Sequence, residues 1–367
     1  MTTEPTLSAA ESGPFAAGLS RRLAELAESQ AYAAYLEVRD HVLRMKALEA
    51  ERAEGAADPS AYWSEELENI EYLLDASPLI VDRLRHHCFH ITGIRVYEYR
   101  SNRDESARKL KNKLDALLQV GRPELLIPES RALGGFGFEI DGELYNVDTL
   151  KFFESLIALD RGGVIADLRS ATGRPVVWEI GAGWGGLAFQ IKTVCPHVTY
   201  AICDFPELFL YSATYLKALF PDARCAFYGQ DDFQEAVDAG ADFVFFPNTV
   251  AEQFRPPRLD LTVNTVSFQE MTGEQVDAYV RQSHALGGRY LYSLNRDRSP
   301  YNPEIASVSE LIGRCYWPHE IAVLPMAYTR LLGKPPSPEL LMKPPPPKTD
   351  LDYRHIVGWR RAEPAPA

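Results

Sequence analysis

The stretch Val-Val-Trp-Glu-Ile-Gly-Ala-Gly-Trp-Gly-Gly at residues 176–186 decides the fold of this chain. An apolar strand carries Glu179 near its end, and a turn with four glycines then runs directly into a helical pattern at residues 187–194. Glycine lets the backbone adopt positive φ and approach a ligand closely, and the start of a helix presents unpaired N–H groups. A carboxylate at the end of a buried strand is rarely explained by packing. Together these features predict a nucleotide-type pocket.

Working outward from this stretch, short apolar strands alternate with helical patterns from residue 175 onward. Such alternation is typical of βαβ units and predicts an α/β fold with a mostly parallel, Rossmann-like sheet and an antiparallel last strand. The predicted strands cover residues 176–180, 199–203, 242–246 (with 225–228 as the alternative third strand), 259–263, 289–294 and 353–360. We interpret the proline-rich residues 335–347 as an ordered excursion between the final strands.

The glycine turn is compatible with two kinds of nucleotide ligand. Gly181, Gly183 and Gly186 satisfy the G-x-G-x-x-G pattern of dinucleotide enzymes. The charge of Glu179 is unfavourable beside a pyrophosphate and suits a ligand that carries an ammonium and a sulfonium. Asp204, which closes the next strand, is placed to accept both hydroxyls of a ribose. The pattern resembles that of class I S-adenosylmethionine-dependent methyltransferases, and a dinucleotide-dependent oxidoreductase stays open as the alternative.

This resemblance implies S-adenosylmethionine as the cofactor. Ligands in such sheets collect at the carboxyl ends of the strands. The expected cofactor contacts are Glu179, Gly181, Ala182, Gly183, Trp184, Gly185, Asp204, Phe205, Asn248 and Asn264. The sequence offers no cluster of carboxylates at metal-ligand spacing, so we expect no required metal.

Polar residues follow the fourth predicted strand in Asn-Thr-Val-Ser-Phe-Gln-Glu-Met at residues 264–271. This edge of the sheet faces the glycine turn, where the transferable methyl group is expected. An alcohol that attacks a sulfonium methyl benefits from a base that takes its proton. Glu270 is one candidate base, and a histidine is the other: His90, from the histidine-rich residues 86–90, or His284 or His319. Orientation of the acceptor without any base also stays open. Glu270 could instead have only a structural role, in which its charge stabilises the dipole of the following helix. His90 could instead be an ordinary surface or core residue.

Three further residues are predicted to bind the substrate: Ser267, Gln269 and Asp148. Asp148 or Thr149 is also placed to cap a helix over residues 150–159. The sequence leaves both roles open for Asp148, since the loop around it could instead close over the methionine end of the cofactor.

The chain also resembles a narrower family, the bacterial sugar O-methyltransferases. The resemblance covers residues 85–361 and is carried by residues 129–150, 179–188, 204–207, 215–216 and 264–271. It implies methyl transfer to a hydroxyl of a sugar or of a glycosylated small metabolite, as in natural-product biosynthesis. Val266 departs from the histidine or other polar residue expected there, and N- or C-methylation of a non-sugar natural product stays open.

The amino-acid composition of the chain limits the classes of molecule that it is expected to bind. The chain of 367 residues has a formal net charge of −13, whereas nucleic-acid binding requires a basic surface. The five cysteines are scattered, which is typical of reduced thiols rather than of a disulfide framework. The N-terminal residues lack the apolar core of a secretory signal, and no stretch reaches the roughly 18–20 apolar residues of a membrane span. We therefore expect a cytoplasmic protein whose substrate is a small molecule.

The N-terminal part is predicted to differ from the rest. We expect residues 1–14 to be disordered, residues 15–150 to form a mainly helical cap, and residues 151–363 to form the cofactor-binding domain. The cap is expected to close over the substrate, to serve stability only, or to contact a second copy of the chain in a homodimer. Its predicted elements are helices at 15–54, 60–74, 78–88 and 106–120, a strand at 95–99, and a hairpin turn at Asp141-Gly142.

Overall fold

The structure of the protein is a computed structural model that describes residues 13–51, 59, 61–298, 307–324 and 352–364. Its strands are β1 (Phe138–Ile140), β2 (Glu143–Tyr145), β3 (Val176–Ile180), β4 (Thr199–Asp204), β5 (Cys225–Phe227), β6 (Phe243–Pro247), β7 (Leu261–Thr265), β8 (Tyr290–Arg296), β9 (Tyr316–Glu320) and β10 (Tyr353–Arg360). Its helices are α1 (Gly13–Ala27), α2 (Gln30–Ala50), α3 (Ala61–Asn69), α4 (Pro78–Val81), α5 (Leu84–His87), α6 (Phe89–Thr92), α7 (Asp104–Leu118), α8 (Val147–Arg161), α9 (Val164–Ser170), α10 (Gly186–Val194), α11 (Phe209–Leu219), α12 (Phe233–Asp238), α13 (Gly273–Ala285) and α14 (Val308–Gly313).

Eight of the strands form one sheet in the order β5-β6-β4-β3-β7-β8-β10-β9. The strands from β5 to β8 pair in parallel, and β10 is antiparallel to both of its neighbours. In chain order, β3 is followed by strands on one side of it, beginning with β4, and the later strands, beginning with β7, lie on its other side. In open sheets of this kind, ligands bind at the carboxyl ends of the strands beside such a switch point. The expected Rossmann-like fold with an antiparallel last strand is confirmed.

The sheet separates two apolar cores. Every residue of β3 and β4 is buried, as in parallel strands that are covered on both faces. Because side chains alternate along a strand, Val177 joins one core and Trp178 joins the other. Helices on both faces therefore hold β3 rigidly, which fixes the start of the glycine turn.

The N-terminal helices continue the first of these cores. Residues Tyr35, Val38 and Val42 of α2 are buried in the same cluster as Tyr211 of α11. An ion pair between Lys217 and Glu37 (3.1 Å) joins the same two helices at their exposed side. The helical region is thus packed on α11, a helix of the layer that covers one face of the sheet. Its role as a lid or a dimer contact stays a prediction.

Several predictions of individual elements are confirmed. Both candidates for the third strand are strands, with β6 inside the sheet and β5 at its edge. The Asp141-Gly142 turn joins β1 to β2, and both residues have positive φ (53° and 87°). No helix within the described ranges is long and apolar enough to span a membrane.

Other predictions were wrong, each for a local reason. Residues 96–99 form a 3-10 turn and not a strand. The helix expected over residues 15–54 is broken at Ser29, whose side chain accepts a hydrogen bond from the Tyr32 N–H and so starts α2. The helix expected over 78–88 is divided into the short helices α4 and α5. The cap of α8 is Asn146, because its side chain accepts a hydrogen bond from the Thr149 N–H and its own N–H donates to the Thr149 hydroxyl.

Two predictions concern segments outside the described residues. The ordered excursion at residues 335–347 lies wholly outside them. The disorder expected for residues 1–14 lies outside them up to residue 12, and Gly13 and Pro14 belong to α1.

Candidate functional site

A large cavity opens where β3, β4, β6 and β7 end. Its volume is 2070 Å³, which exceeds the roughly 300–1,000 Å³ of a pocket for one small ligand. One wall is the glycine turn, and the segment that follows β7 forms a second wall that adjoins the turn at Gly181. The predicted residues on its surface are Gly181, Ala182, Gly183, Trp184, Asp204, Phe205, Asn248, Asp148, Ser267 and Glu270. The cavity therefore has room for two ligands side by side.

The turn needs its glycines because its backbone passes very close to neighbouring residues. Gly181 and Gly183 have φ of +71° and +58°, a region that side chains other than glycine rarely adopt. A Cβ on Gly181 would lie 2.2 Å from the Ser267 Oγ. Gly185, with φ +82°, precedes α10 and has no side chain to cap it. The turn thus passes against the segment that follows β7, and the N–H groups of Gly181 and Gly183 donate to the Cys203 carbonyl and to Asp204.

Asp204 closes β4 beside this turn. One carboxylate oxygen accepts a hydrogen bond from the Gly183 N–H (2.8 Å), and the other accepts from the Phe205 N–H (2.9 Å). Burial raises the pKa of Asp204 to about 7, against the lowering effect of these backbone donors. A carboxylate offers about four acceptor positions, and the Ala182 N–H also bonds to Asp204, so about one position remains for a ligand hydroxyl.

Glu179 lies behind the turn and does not line the cavity. It is 1% exposed, and its Oε2 accepts a hydrogen bond from the Tyr200 hydroxyl (2.9 Å). Desolvation raises the pKa of Glu179 to about 8. A positive charge near the turn would therefore interact electrostatically with this carboxyl group without touching it. A direct contact between Glu179 and the cofactor stays a prediction.

Asn264 ties the ends of two strands together. Its Nδ2 donates to the Ile180 carbonyl (2.8 Å) and to the Ser267 Oγ (2.6 Å), while its Oδ1 accepts from the Phe268 N–H (2.9 Å). Asn264 is fully buried and does not line the cavity, whereas Ser267 does. The structure thus gives Asn264 a supporting position beneath the wall that Ser267 presents.

Glu270 is covered by a residue of the N-terminal region that sequence reasoning missed. The Trp63 indole of α3 hydrogen-bonds to the Glu270 carboxylate, and its ring centroid lies 5.7 Å from that of Phe205. Burial raises the pKa of Glu270 to about 7, and the Trp63 donor and the charge of Arg296 oppose this rise. Trp63 therefore bridges the two walls of the cavity. Helical periodicity alone could not have distinguished it from a core residue.

Besides Glu179 and Asn264, three predicted site residues do not line the cavity: His90, Gln269 and Gly185. The His90 ring packs against Phe89, with a centroid distance of 3.9 Å. Gln269 accepts a hydrogen bond from the Arg296 N–H (3.0 Å) and donates one to the Tyr353 hydroxyl (3.4 Å). Its amide thus braces the ends of β8 and β10. Of the candidate bases, Glu270 lines the cavity, whereas His90, His284 and His319 do not.

A buried ion-pair cluster beside the turn was also missed. Arg85 is 1% exposed and donates to both carboxylate oxygens of Glu129 (2.6 and 3.3 Å). Its guanidinium carbon lies 3.6 Å from the Trp184 ring centroid. Asp148 lies 3.6 Å from the same guanidinium and accepts a hydrogen bond from Lys151 (2.8 Å). The one available signal was an arginine at a position that shares a buried helical face with Leu84 and Cys88.

Metal-ligating side chains do not converge here. In the part of the chain that the structure describes, no group of three or more histidine, cysteine, aspartate or glutamate side chains is arranged to hold a metal ion.

Comparison with known proteins gives only distant similarity. No protein-family model matches the chain, and no curated protein matches it. The N-methyltransferase NodS from Bradyrhizobium japonicum WM9, in complex with S-adenosyl-L-homocysteine, is 12% identical over 55% of this chain and 86% of that chain, with a TM-score of 0.33. The magnesium protoporphyrin IX methyltransferase ChlM from Synechocystis PCC 6803 is 11% identical over 59% and 88%, with a TM-score of 0.33. An O-methyltransferase family protein from Burkholderia thailandensis is 13% identical over 70% of each chain, with a TM-score of 0.31. Similarity this low carries no functional argument, so function has to be inferred from the residues of the site.

Val266 gives a test of the strain in the cavity wall. It has φ +69°, which is unfavourable for a β-branched residue, whereas asparagine tolerates this conformation. We expect Val266→Asn to raise the free energy of unfolding by about 1 kcal/mol, measured by urea denaturation. Val263→Asn, at a fully buried position of β7 with no positive φ, is the control and is expected to destabilise. A Val266→Asn variant less stable than the wild type would contradict the strained conformation.

Proposed function

We propose that the protein transfers the methyl group of S-adenosylmethionine to a hydroxyl of a sugar or of a glycosylated small metabolite. The observation that carries the proposal is the pairing of two walls in one cavity. The glycine turn with Asp204 forms one wall, and Ser267 with Glu270 forms the other. The first wall has the chemistry of a nucleoside site, and the second offers a base for an acceptor.

The residues of the first wall fit the cofactor. The missing side chain at Gly181 lets the turn pass against Ser267, and Asp204 retains an acceptor position for a ribose hydroxyl. Phe205 and Asn248 line the same part of the cavity and are proposed to flank the nucleoside. The buried carboxyl groups of Glu179 and Asp204 favour a cationic ligand and disfavour a pyrophosphate, which argues against a dinucleotide.

On the second wall, Glu270 is proposed to act as general base. Bound S-adenosylmethionine supplies a methyl group on a positively charged sulfur that leaves as a neutral thioether. The acceptor hydroxyl passes its proton to the Glu270 carboxylate as the new oxygen–carbon bond forms, and the electron pair of the broken carbon–sulfur bond goes to sulfur. Most of the rate gain in such a displacement comes from positioning, which Ser267 and the covering Trp63 ring are placed to provide.

A sugar acceptor is supported by the wall chemistry and by the resemblance of residues 264–271. Trp63 and Tyr353 bring aromatic rings to a cavity that also carries Glu270 and Ser267. Ligand sites typically combine apolar and aromatic surface with a few placed polar groups. The volume beyond that of one ligand accommodates an acceptor of the size of a glycosylated metabolite.

Calorimetric titration tests the choice of cofactor. We expect the protein to bind S-adenosylhomocysteine, the thioether product form, and not NADH, because two carboxyl groups lie beside the turn. Asp204→Asn should weaken this binding about tenfold or more through loss of charged hydrogen bonds, whereas Asp238→Asn on α12, outside the cavity, should not. Binding of NADH alone would exclude the methyltransferase proposal.

The pH dependence of turnover tests Glu270. Because its pKa is raised to about 7, the basic carboxylate form increases between about pH 6 and 8, and kcat should rise with it. Glu270→Gln should lower kcat by about 10²-fold or more and abolish this rise. Trp63→Phe removes a donor that stabilises the carboxylate, so the midpoint should move to higher pH.

The matched control is Glu235→Gln, on the exposed side of α12. An unchanged kcat and pH profile in Glu270→Gln would rule out the role of base and leave orientation alone as the source of the rate.

A further inference from the structure

Four segments that are distant in the sequence meet at the guanidinium of Arg85. Arg85 belongs to α5, Glu129 precedes the β1–β2 hairpin, Asp148 lies in the first turn of α8, and Trp184 lies in the glycine turn. The first three side chains are each at most 4% exposed. Arginine suits this position because its planar group can pair with a carboxylate on its edge and stack on an aromatic ring with its face.

The contacts leave little freedom for the guanidinium. Glu129 binds it through two oxygens, and Glu129 is itself held by the Asn146 Nδ2 (3.0 Å). Because Asn146 also caps α8, the clamp on Arg85 is fixed to the helix that carries Asp148. The Trp184 ring lies against the opposite side of the cluster, at 3.6 Å from the guanidinium carbon. The cavity wall at Asp148 and the glycine turn are therefore held in a fixed relation.

The carboxylate of Asp148 has an incomplete set of hydrogen-bond partners. Its Oδ1 accepts from Lys151, and its Oδ2 is buried 3.6 Å from the Arg85 guanidinium with no hydrogen bond among the described residues. Both Asp148 and Lys151 line the cavity. A buried carboxylate oxygen without a donor is costly, and a neighbouring ammonium group offers three donors of its own. A carboxylate and an ammonium side by side complement the ammonium and carboxylate of an α-amino acid.

We propose that Arg85 is a positioning residue that orients Asp148 and Trp184 so that the cavity selects a nucleoside carrying an α-amino-acid group over the same nucleoside without it. The inference rests on the proposed function, since S-adenosylmethionine is such a nucleoside. Asp148 receives the ligand ammonium, Lys151 receives the ligand carboxylate, and Arg85 acts only through the groups it holds. Without Arg85, Glu129 and Asp148 would be neighbouring buried carboxylates with no positive charge between them.

The test compares two ligands on the full chain. S-adenosylhomocysteine carries the amino-acid group, and 5′-methylthioadenosine lacks it. We expect the wild type to bind S-adenosylhomocysteine at least about tenfold more tightly by calorimetry, because charged hydrogen bonds to the amino-acid group are added. Asp148→Asn should remove most of this preference while the affinity for 5′-methylthioadenosine stays within about twofold.

Arg85→Lys keeps the charge and loses the planar stack and fork, so it should reduce the same preference. The variant that carries both Arg85→Lys and Asp148→Asn should lose no more of the preference than the single variant that loses more of it. The reason is that both substitutions act on one interaction. Controls come from the other end of α8, where Asp160 pairs with Arg122 (2.6 Å). Asp160→Asn and Arg122→Lys should leave the preference unchanged.

Each outcome has a separate meaning. If Arg85→Lys weakened the binding of both ligands equally, the positioning role would be overturned. The same holds if the effects of Arg85→Lys and Asp148→Asn on the preference were additive. A wild type that binds both ligands equally would overturn the subsite, while a wild type that binds neither would refute the proposed function itself. If Arg85→Lys fails to fold, Glu129→Gln, which loosens the clamp on Arg85, should lower the preference in its place, and no change there would contradict the inference.

Discussion

The approach of the glycine turn to the end of β7 is the constraint on which the rest of the site depends. No side chain fits at Gly181, because a Cβ there would lie 2.2 Å from the Ser267 Oγ. The neighbouring parallel strands β3 and β7 bring these two segments to the same edge of the sheet. Asn264 then secures the approach by bonding to the Ile180 carbonyl and to Ser267 at once. The two proposed ligands would meet above this junction.

A second physical theme is the number of carboxyl groups kept away from water around one cavity. Burial is the largest influence on Glu179, Asp204 and Glu270, and it raises the pKa of each. Three carboxyl groups whose charged forms are disfavoured by burial produce a site that gains from a cationic ligand. The effect differs from that of a simple salt bridge, because these carboxyl groups are hydrogen-bonded to neutral donors such as the Tyr200 hydroxyl and the Gly183 N–H.

The local features of this site could be predicted from the sequence, whereas its long-range contacts could not. The strand, the glycines and Asp204 lie within one βαβ unit, and their pattern fixes their relative positions. The contact between Trp63 and Glu270 joins residues that are far apart in the chain, and no periodicity in either segment indicates it. Arg85 was hidden for the same reason, since its partners lie on other segments. Asp148 was predicted as a cap because its position fits one, yet Asn146 two residues earlier satisfies the helix start.

The unusual backbone of Val266 follows from the same junction that excludes a side chain at Gly181. The chain must turn sharply after β7 for Ser267 to reach Gly181, and a left-handed residue between Thr265 and Ser267 makes that turn. The strain of a valine in this conformation is offset by neighbours that fix the backbone on both sides. The Val266 N–H donates to the Leu294 carbonyl (2.8 Å), and the Asn264 side chain accepts from the Phe268 N–H. A strained residue held in this way keeps Ser267 and Glu270 at fixed positions in the wall, which is the property that a site acting mainly by positioning requires.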